Sequence, residues 1–228
     1  MIKKKILVFL LVVVSVFSFA ACGKEKMNIS NYIIEDREHL FTANDDLYNV
    51  SLSSGKREVN YNLDGVVNEL TDFAILSLAR NDFKPLANDT YAYVVTINDE
   101  NLTGFLTKNE IDNVYSTDLE IAIPADATIN VKISFTGYSI NKDLANTSND
   151  FAVDKNTALN MANSELIKDV ENITSDGSNI EVVTKILKDH SSTELKKYYW
   201  YIGIVSTNGE TLGILIDANS GEIIAKKV

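Results

Sequence analysis

The first 22 residues, MIKKKILVFLLVVVSVFSFAAC, differ in character from the rest of the chain. Lys3, Lys4 and Lys5 form a positively charged start, and an apolar stretch of 14 residues, 6–19, follows them. A helix that crosses a bilayer needs about 20 apolar residues, whereas a shorter stretch suits the hydrophobic part of a secretory signal peptide. We therefore exclude residues 1–21 from the fold and expect the folded protein to lie outside the cytoplasm.

The chain's single cysteine, Cys22, directly follows the small residues Ala20 and Ala21. This arrangement resembles the bacterial lipobox, although Phe19 stands where that motif most often has leucine. The resemblance implies transfer of diacylglycerol to the Cys22 sulfur and cleavage before it, so that acyl chains such as palmitate anchor the protein to the membrane. The alternative is an ordinary secretory peptide followed by a cysteine. A single thiol cannot form an intrachain disulfide or a cysteine-rich metal site.

Composition and charge narrow the classes of function. Hydrophobic residues make up 45% of the chain and charged residues 23%, which is ordinary for a folded soluble protein. The formal charge of −11 becomes −14 once residues 1–21, with three lysines and no acidic residue, are removed. Nucleic acids and anionic headgroups bind basic surfaces, so this acidity argues against both as partners. The acidic residues are dispersed, which is typical of a soluble, self-repelling surface.

The periodicity beyond the cysteine predicts an α+β fold of two small domains, each an antiparallel sheet packed with one helix. The sequence SINKDLANTSND at 139–150 is rich in turn formers and indicates a linker between them. The predicted divisions are a lipidated cysteine with a polar tether over 22–45, a first domain over 46–138, the linker over 139–151 and a second domain over 152–228.

The first predicted domain has two strands, one helix and four further strands. Asp64 is placed to cap a helix that continues to Arg80, because apolar residues in this stretch recur at helical spacing. A turn at Ser54-Gly55 would join the first two strands. No known family is suggested by this domain, and its role is left open. The six predicted strands are Leu47–Ser53, Arg57–Leu63, Thr90–Ile97, Leu102–Thr107, Leu119–Ile123 and Ile129–Phe135.

The second predicted domain is a helix followed by four strands. Asp154 is placed to cap a helix from Lys155 to about Val170, whose apolar residues form a stripe at helical spacing. This helix and a four-stranded antiparallel sheet are enough for a small core. The predicted strands are Ile180–His190, Lys197–Ser206, Thr211–Asp217 and Glu222–Ala225.

The loop at Asn208-Gly209 allows the strand register to be predicted. A three-residue loop with Gly209 in the left-handed conformation pairs Ser206 with Glu210 and sets Trp200 opposite Ile216. All the large apolar residues then share one face, which a slip by one residue would expose. That face carries Trp200, Ile202, Ile204, Leu212, Ile214 and Ile216. The other carries Tyr199, Tyr201, Val205 and Leu215, with Gly203 and Gly213 forming a shallow bare patch.

The last third of the chain resembles a PepSY domain. The resemblance depends on the helix with Ala158, Leu159 and Ala162, the strand YYWYIGIV at 198–205 and the ending LGILIDANSGEII at 212–224, and it covers about 75 of the 228 residues. PepSY domains occur in the propeptides of thermolysin-like metallopeptidases and in other exported bacterial proteins. The resemblance implies inhibition or regulation of a peptidase, and it supplies no catalytic residues.

Several residues have both a functional and a structural interpretation. The stretch 217–221 could bind calcium, but the sequence favours a tight turn in which Gly221 has a positive φ. Trp200 is predicted to lie in the core. His39 and His190 have no second imidazole or thiol nearby in the sequence, so no metal site or cofactor is predicted. Neither a nucleophile motif nor a glycine-rich phosphate loop occurs.

These features predict a non-enzymatic binding protein, anchored by lipid on Cys22 to the extracytoplasmic face of a bacterial cell membrane. The expected partner is an exported peptidase or another envelope protein, and the expected binding residues are Tyr199, Tyr201 and Leu215. One alternative is a lipoprotein that binds or senses a small ligand between the two domains. A purely structural envelope component is a third possibility.

Overall fold

The protein is mostly β-sheet. The computed structural model describes residues 27–44, 47–59, 62–81, 84, 86, 90–109, 114–135, 137–188 and 197–228. Strands account for 57% of the described residues and helices for 15%. The strands are β1 (Ile33–Asn44), β2 (Tyr48–Glu58), β3 (Leu70–Arg80), β4 (Thr90–Ile97), β5 (Glu100–Lys108), β6 (Tyr115–Leu119), β7 (Ile129–Phe135), β8 (Tyr138–Asn146), β9 (Ile180–Lys188), β10 (Tyr198–Ser206), β11 (Thr211–Asp217) and β12 (Ile223–Lys227). Helix α1 spans Lys155–Ile173, and short 3-10 turns occupy Ile29–Tyr32 and Thr147–Asp150.

Strands β1 to β8 form a closed antiparallel barrel of eight strands. The order around it is β1-β2-β3-β6-β5-β4-β7-β8, and β8 returns to β1 where Phe41 pairs with Asn146. A barrel of this size is just wide enough for side chains to fill its interior. The strands alternate accordingly, and their inward positions are apolar. Phe41, Leu52, Leu76, Tyr91, Leu106 and Val131 are all buried there.

The C-terminal strands extend the same sheet beyond the barrel. Strand β9 pairs in parallel with the first half of β1, where Ile33 lies beside Val182, and β10, β11 and β12 follow in antiparallel order. Helix α1 covers one face of this extension, which we call the C-terminal sheet (β9 to β12). The helix and that face share a second core, which contains Leu159, Leu166, Trp200, Ile202 and Ile214.

Strand β1 joins the two cores. Its first half pairs with β9 and its second half with β8, while β2 runs along its other edge. The register between β1 and β2 shifts between Arg37 and His39, and such a bulge bends a strand. Gly55 lies opposite, where a Cβ would come within 1.7 Å of the Asp36 carbonyl oxygen, so this position requires glycine. From α1, Lys155 pairs with Asp36 and, at 2.9 Å, with Glu38.

The predicted fold class, α+β with two small domains, is wrong. The structure is mostly β, and one twelve-stranded sheet runs through both cores. Because β1 contributes to both cores, the C-terminal sheet continues the barrel sheet and is not a separate layer. The predicted helix and four-stranded antiparallel sheet of the last third are present as α1 and β9 to β12, but as an extension of the barrel sheet.

The helix predicted from Asp64 to Arg80 is a loop followed by strand β3. Inside β3 the buried residues Ala74, Leu76 and Leu78 alternate, and this two-residue period overlaps the helical spacing on which the prediction depended. Pairing with β2 and β6 on either side satisfies the backbone of β3. The turn predicted at Ser54-Gly55 is also wrong, because β2 continues through it.

Two further segments predicted to be irregular are strands. Residues 33–44 of the predicted tether form β1, and most of the predicted linker forms β8. Strand β8 has only Ile140 and Leu144 buried, so its sequence resembles a polar linker more than a strand. It needs few apolar residues because only its inward face contributes to the barrel core.

The predicted register of the β10–β11 hairpin and the predicted cap of α1 are confirmed. Trp200 pairs with Ile216 and Ile204 with Leu212, as the three-residue loop requires, and Gly209 has a φ of +90°. The Asp154 carboxylate caps α1 by accepting a hydrogen bond from the Thr157 N–H at 2.7 Å. That hydrogen bond holds the pKa of Asp154 below its ordinary value.

Candidate functional site

The outer face of the C-terminal sheet, opposite α1, carries the three predicted binding residues. Tyr201 pairs with Leu215, and Tyr199 precedes them on β10 on the same face. All three side chains are partly exposed. In the described part of the chain, β10 and β11 make their main contacts with β9, β12 and α1. The structure therefore brings the three residues together on a face that α1 does not cover.

The predicted bare patch on this face is occupied by the ring of Tyr201. A Cβ on Gly203 would come within 2.8 Å of the Tyr201 hydroxyl, and one on Gly213 within 3.5 Å of its ring. On the other side, the Lys185 ammonium lies 5.2 Å from the centre of the ring. Burial and, secondarily, the nearby Arg37 guanidinium lower the pKa of Lys185. The expectation of an open patch is wrong, because the two glycines provide space for the tyrosine itself.

A cleft of about 400 Å³ opens where the barrel meets the C-terminal sheet. We call it the junction cleft. Its walls come from the first half of β1, from the end of β2 and from β9. It is lined by Ile34, Glu35, Arg57, Glu58, Val59 and Val183. The cleft lies across three neighbouring strands, because the first half of β1 pairs with β2 on one edge and with β9 on the other.

The three charged residues of the junction cleft differ in how they are paired. Glu35 accepts a hydrogen bond from the Arg37 guanidinium at 2.7 Å. Arg57 pairs with Asp118 at 2.7 Å. Glu58 is only 5% exposed, and its Oε1 accepts a hydrogen bond from the Asn68 N–H. Its Oε2 is buried and has no hydrogen-bond partner in the described part of the chain.

A second buried carboxylate, Glu181, fixes the loop between β2 and β3 against the C-terminal sheet. It is 1% exposed, and its Oε1 accepts hydrogen bonds from the Asp64 and Gly65 N–H groups at 2.9 and 2.8 Å. Its Oε2 also lacks a partner within the described residues. Neither Glu58 nor Glu181 was identified from the sequence. The available signal was the position of Glu181, between Ile180 and Val182 in an apolar strand.

The remaining sequence candidates have structural roles or lie outside the described residues. Trp200 is in the core, and its Nε1 donates a hydrogen bond to the Val153 carbonyl at 2.7 Å. The loop at 217–221 is a tight turn as predicted, because the Asp217 carboxylate accepts hydrogen bonds from two backbone N–H groups and Gly221 has a φ of +73°. Cys22 and His190 lie outside the described residues.

In the residues that the structure describes, no group of three or more His, Cys, Asp or Glu side chains could hold a metal ion. Those residues also include no helix with the length and apolar character needed to cross a membrane. A scan of family models, a search of curated proteins and a search of solved structures each found no match to the chain. The site is therefore interpreted from its own geometry.

Proposed function

We propose that the chain is a lipoprotein of the extracytoplasmic membrane face, anchored through Cys22, that acts by binding an exported peptidase or another envelope protein. The outer face of the C-terminal sheet docks that partner around Tyr199, Tyr201 and Leu215. This proposal is supported chiefly by one observation, which is that Tyr201 is packed over Gly203 and beside Lys185 while its ring stays partly exposed.

An aromatic ring that is already restricted by its neighbours loses little conformational entropy when a partner binds it. Tyrosine is common among residues that dominate binding energy, since it provides a large contact area with few rotatable bonds. The glycines under Tyr201 and the cation beside it restrict the ring before a partner arrives. A partner with an apolar or acidic patch would contact the ring, Leu215 and the Lys185 ammonium together.

Docking is tested by site-specific photocrosslinking in the native envelope. A photoreactive phenylalanine analogue at position 199 of the full-length chain should yield one adduct, identified by mass spectrometry as an exported protein. The matched control is the same analogue at Phe105, an aromatic that is 64% exposed on the barrel. Equal adducts from both positions, or none from position 199, would refute docking on this face.

Affinity for the crosslinked partner provides the quantitative test. Replacing Tyr201 and Leu215 by Ala should weaken binding at least about 30-fold, the loss expected for a binding hot spot. Phe105→Ala should leave the affinity unchanged. The full mature chain is required, because a shorter chain that begins at residue 45 would lack β1, which both cores need.

The lipid anchor is tested separately. Incorporation of radiolabelled palmitate should be seen in the natural chain and lost in Cys22→Ser. Labelling that persists in Cys22→Ser would contradict the lipobox interpretation and leave the docking proposal unaffected.

The junction cleft favours a second candidate function, the binding of a small ligand between the barrel and the C-terminal sheet. Its volume falls in the range of about 300–1,000 Å³ that is typical of ligand pockets. A ligand that binds only the folded protein raises its melting temperature, so a thermal-shift screen of small molecules tests this function directly. No shift with any compound would count against it.

A further inference from the structure

We propose that the junction cleft binds a small organic cation, an ammonium or guanidinium group on a short apolar body, with Glu58 as its counter-ion. This inference rests on the ligand-binding candidate function, and the cleft borders the outer face, because Val183 pairs with Gly203. It assigns a ligand-binding role to Glu58, whose Oε2 has no hydrogen-bond partner among the described residues.

Among the described residues, the charges that line the junction cleft leave one carboxylate oxygen without a hydrogen-bond partner. Glu35 is paired with Arg37, and Arg57 is paired with Asp118 while its guanidinium lies 4.4 Å from the centre of the Phe73 ring. Both of these charges are neutralised within the protein. The Oε2 of Glu58 is buried without a hydrogen bond in the described part of the chain. Buried charges in proteins are paired or coordinate an ion, and this carboxylate has no cationic partner among the described residues.

The chemistry of the cleft selects an organic cation over other ligands. Glu58 supplies a fixed negative charge, whereas Arg57, the cation in the lining, already has Asp118 and Phe73 as partners, so an anion would find no free counter-ion. A metal ion would need three or more ligands, and no such group is formed by the described residues. Ammonium and guanidinium groups donate charge-assisted hydrogen bonds to a carboxylate, and these are stronger than bonds between neutral groups.

The apolar walls fit the body of such a cation. Ile34, Val59 and Val183 line the same cleft as Glu58. An alkyl chain packed against these walls would lose water contact. The Glu58 Oε2 has almost no accessible surface, so the side chain would turn toward the cleft to meet the charged end. The negative charge of the whole chain also attracts cations to its surface.

The test uses n-butylammonium and n-butylguanidinium with the full mature chain, with 1-butanol as a neutral analogue, in titration calorimetry and thermal-shift measurements. We expect one of the two cations to bind and 1-butanol not to bind. Glu58→Gln keeps the shape and an acceptor for the Asn68 N–H but removes the charge. It should weaken cation binding at least about 10-fold, since a tenfold change corresponds to about 1.4 kcal/mol.

Glu181→Gln is the matched control, because Glu181 is equally buried and also accepts backbone hydrogen bonds, but it does not line the cleft. This variant should bind the cation as the natural protein does. Without ligand, Glu58→Gln should melt at the same temperature as the natural protein or higher, because an unpaired buried charge is removed. A lower melting temperature with unchanged cation binding would mean that Glu58 is only a structural anchor for Asn68, and would overturn the proposal.

Two further outcomes separate this inference from the ligand-binding function. The variant Val183→Trp is designed to fill the cleft. If a neutral or anionic ligand binds the natural protein but not this variant, the cation proposal is refuted and the ligand-binding function is supported. Failure of every compound to bind would refute both. If a cation binds, a peptide with a central lysine is compared with the free amine. Tighter binding of the peptide would identify a lysine side chain as the natural source of the charge, and tighter binding of the amine would identify a small metabolite.

Discussion

The barrel and the C-terminal sheet each contain a tyrosine that lies over a glycine, in opposite settings. In the barrel, Tyr93 pairs across the strands with Gly104, and a Cβ on that glycine would come within 2.7 Å of the Tyr93 hydroxyl. Tyr93 faces the interior and is 6% exposed. In the C-terminal sheet, Tyr201 covers Gly203, which lies two residues further along the same strand, and it does so on the outer face. One local packing arrangement therefore serves a core in one region and a surface in the other.

The difference comes from closure of the sheet. The barrel strands all have neighbours on both sides, and their inward face is a filled core. The C-terminal sheet stays open, so α1 can cover only one of its faces. Partly exposed aromatic residues are left on the other face, and a cleft is left where the open sheet departs from the barrel. Both candidate binding regions thus lie on or beside the open part of the sheet, β9 to β12.

The two regions should nevertheless unfold together, because β1 belongs to both. Leu76→Ala, in the barrel core, should lower the free energy of unfolding by about 2–5 kcal/mol. Trp200 is the only tryptophan and lies in the other core, so its fluorescence reports on the C-terminal sheet. In urea titrations, the fluorescence midpoint and the far-ultraviolet circular dichroism midpoint should fall together.

The result that would break this expectation is a dichroism midpoint that falls while the Trp200 fluorescence midpoint stays unchanged. The two regions would then be independent folding units despite their common sheet. Ile202→Ala, in the C-terminal core, is the reciprocal variant. It should shift both signals by a similar amount, since the transition of a cooperative unit is the same for every probe.

The sequence predicts the C-terminal sheet far better than the barrel, for physical reasons. The β10–β11 hairpin has a short loop with Gly209, and its apolar residues alternate, so local turn geometry and burial specify the same register. Helix α1 begins with a capping Asp154. These features act between residues that are close in the chain. The candidate residues Tyr199, Tyr201 and Leu215 were predicted correctly as neighbours on one face for the same reason.

The barrel depends on pairings between distant residues. Strand β1 pairs with β8 and β9, which lie more than 100 residues away in the sequence, and nothing in the local pattern of 33–44 indicates those partners. Gly55 was interpreted as a turn residue, although its role is to allow close approach of β1. The sequence does not reveal the junction cleft for the same reason, because its residues from β2 and β9 come together only when both strands pair with β1.

Lys155 of α1 forms ion pairs with β1, the strand that the two regions have in common. Its replacement should have the next largest effect on the free energy of unfolding. Its side chain and that of Asp36 are 18% and 14% exposed. Lys155→Met should therefore lower the free energy of unfolding by about 2–3 kcal/mol, because Asp36 loses its counter-ion in a mostly buried position. Lys56→Met removes an exposed pair with Asp72 and should cost less than about 1 kcal/mol. Equal losses would show that the ion pairs of Lys155 with β1 are not specially stabilising.

The stability that Lys155 contributes through Asp36 and Glu38 should also depend on pH. Burial alone lowers the pKa of Lys155, but hydrogen bonds and charge from Asp36 and Glu38 raise it above the ordinary 10.5. A raised folded-state pKa stabilises the protein fully below the unfolded value, and the stabilisation is lost as the pH rises through the folded value. The melting temperature difference between the natural protein and Lys155→Met should thus be constant from pH 7 to 9 and shrink above about pH 10.5. A difference that shrinks below pH 9 would contradict this pairing.

The smallest expected loss of stability is that of an alanine at the glycine of each tyrosine–glycine pair, and it compares the two pairs directly. Gly104→Ala places a methyl group against Tyr93, which is enclosed by the barrel core, so we expect a loss of about 1–2 kcal/mol from overpacking. Gly203→Ala places the same group against Tyr201, whose ring can move outward into solvent. Its cost should stay below about 1 kcal/mol in urea denaturation. If the two variants lose equal stability, Tyr201 is held as firmly as a core residue. If Gly203→Ala costs little but weakens partner binding, the position of the ring over the glycine is what the partner requires.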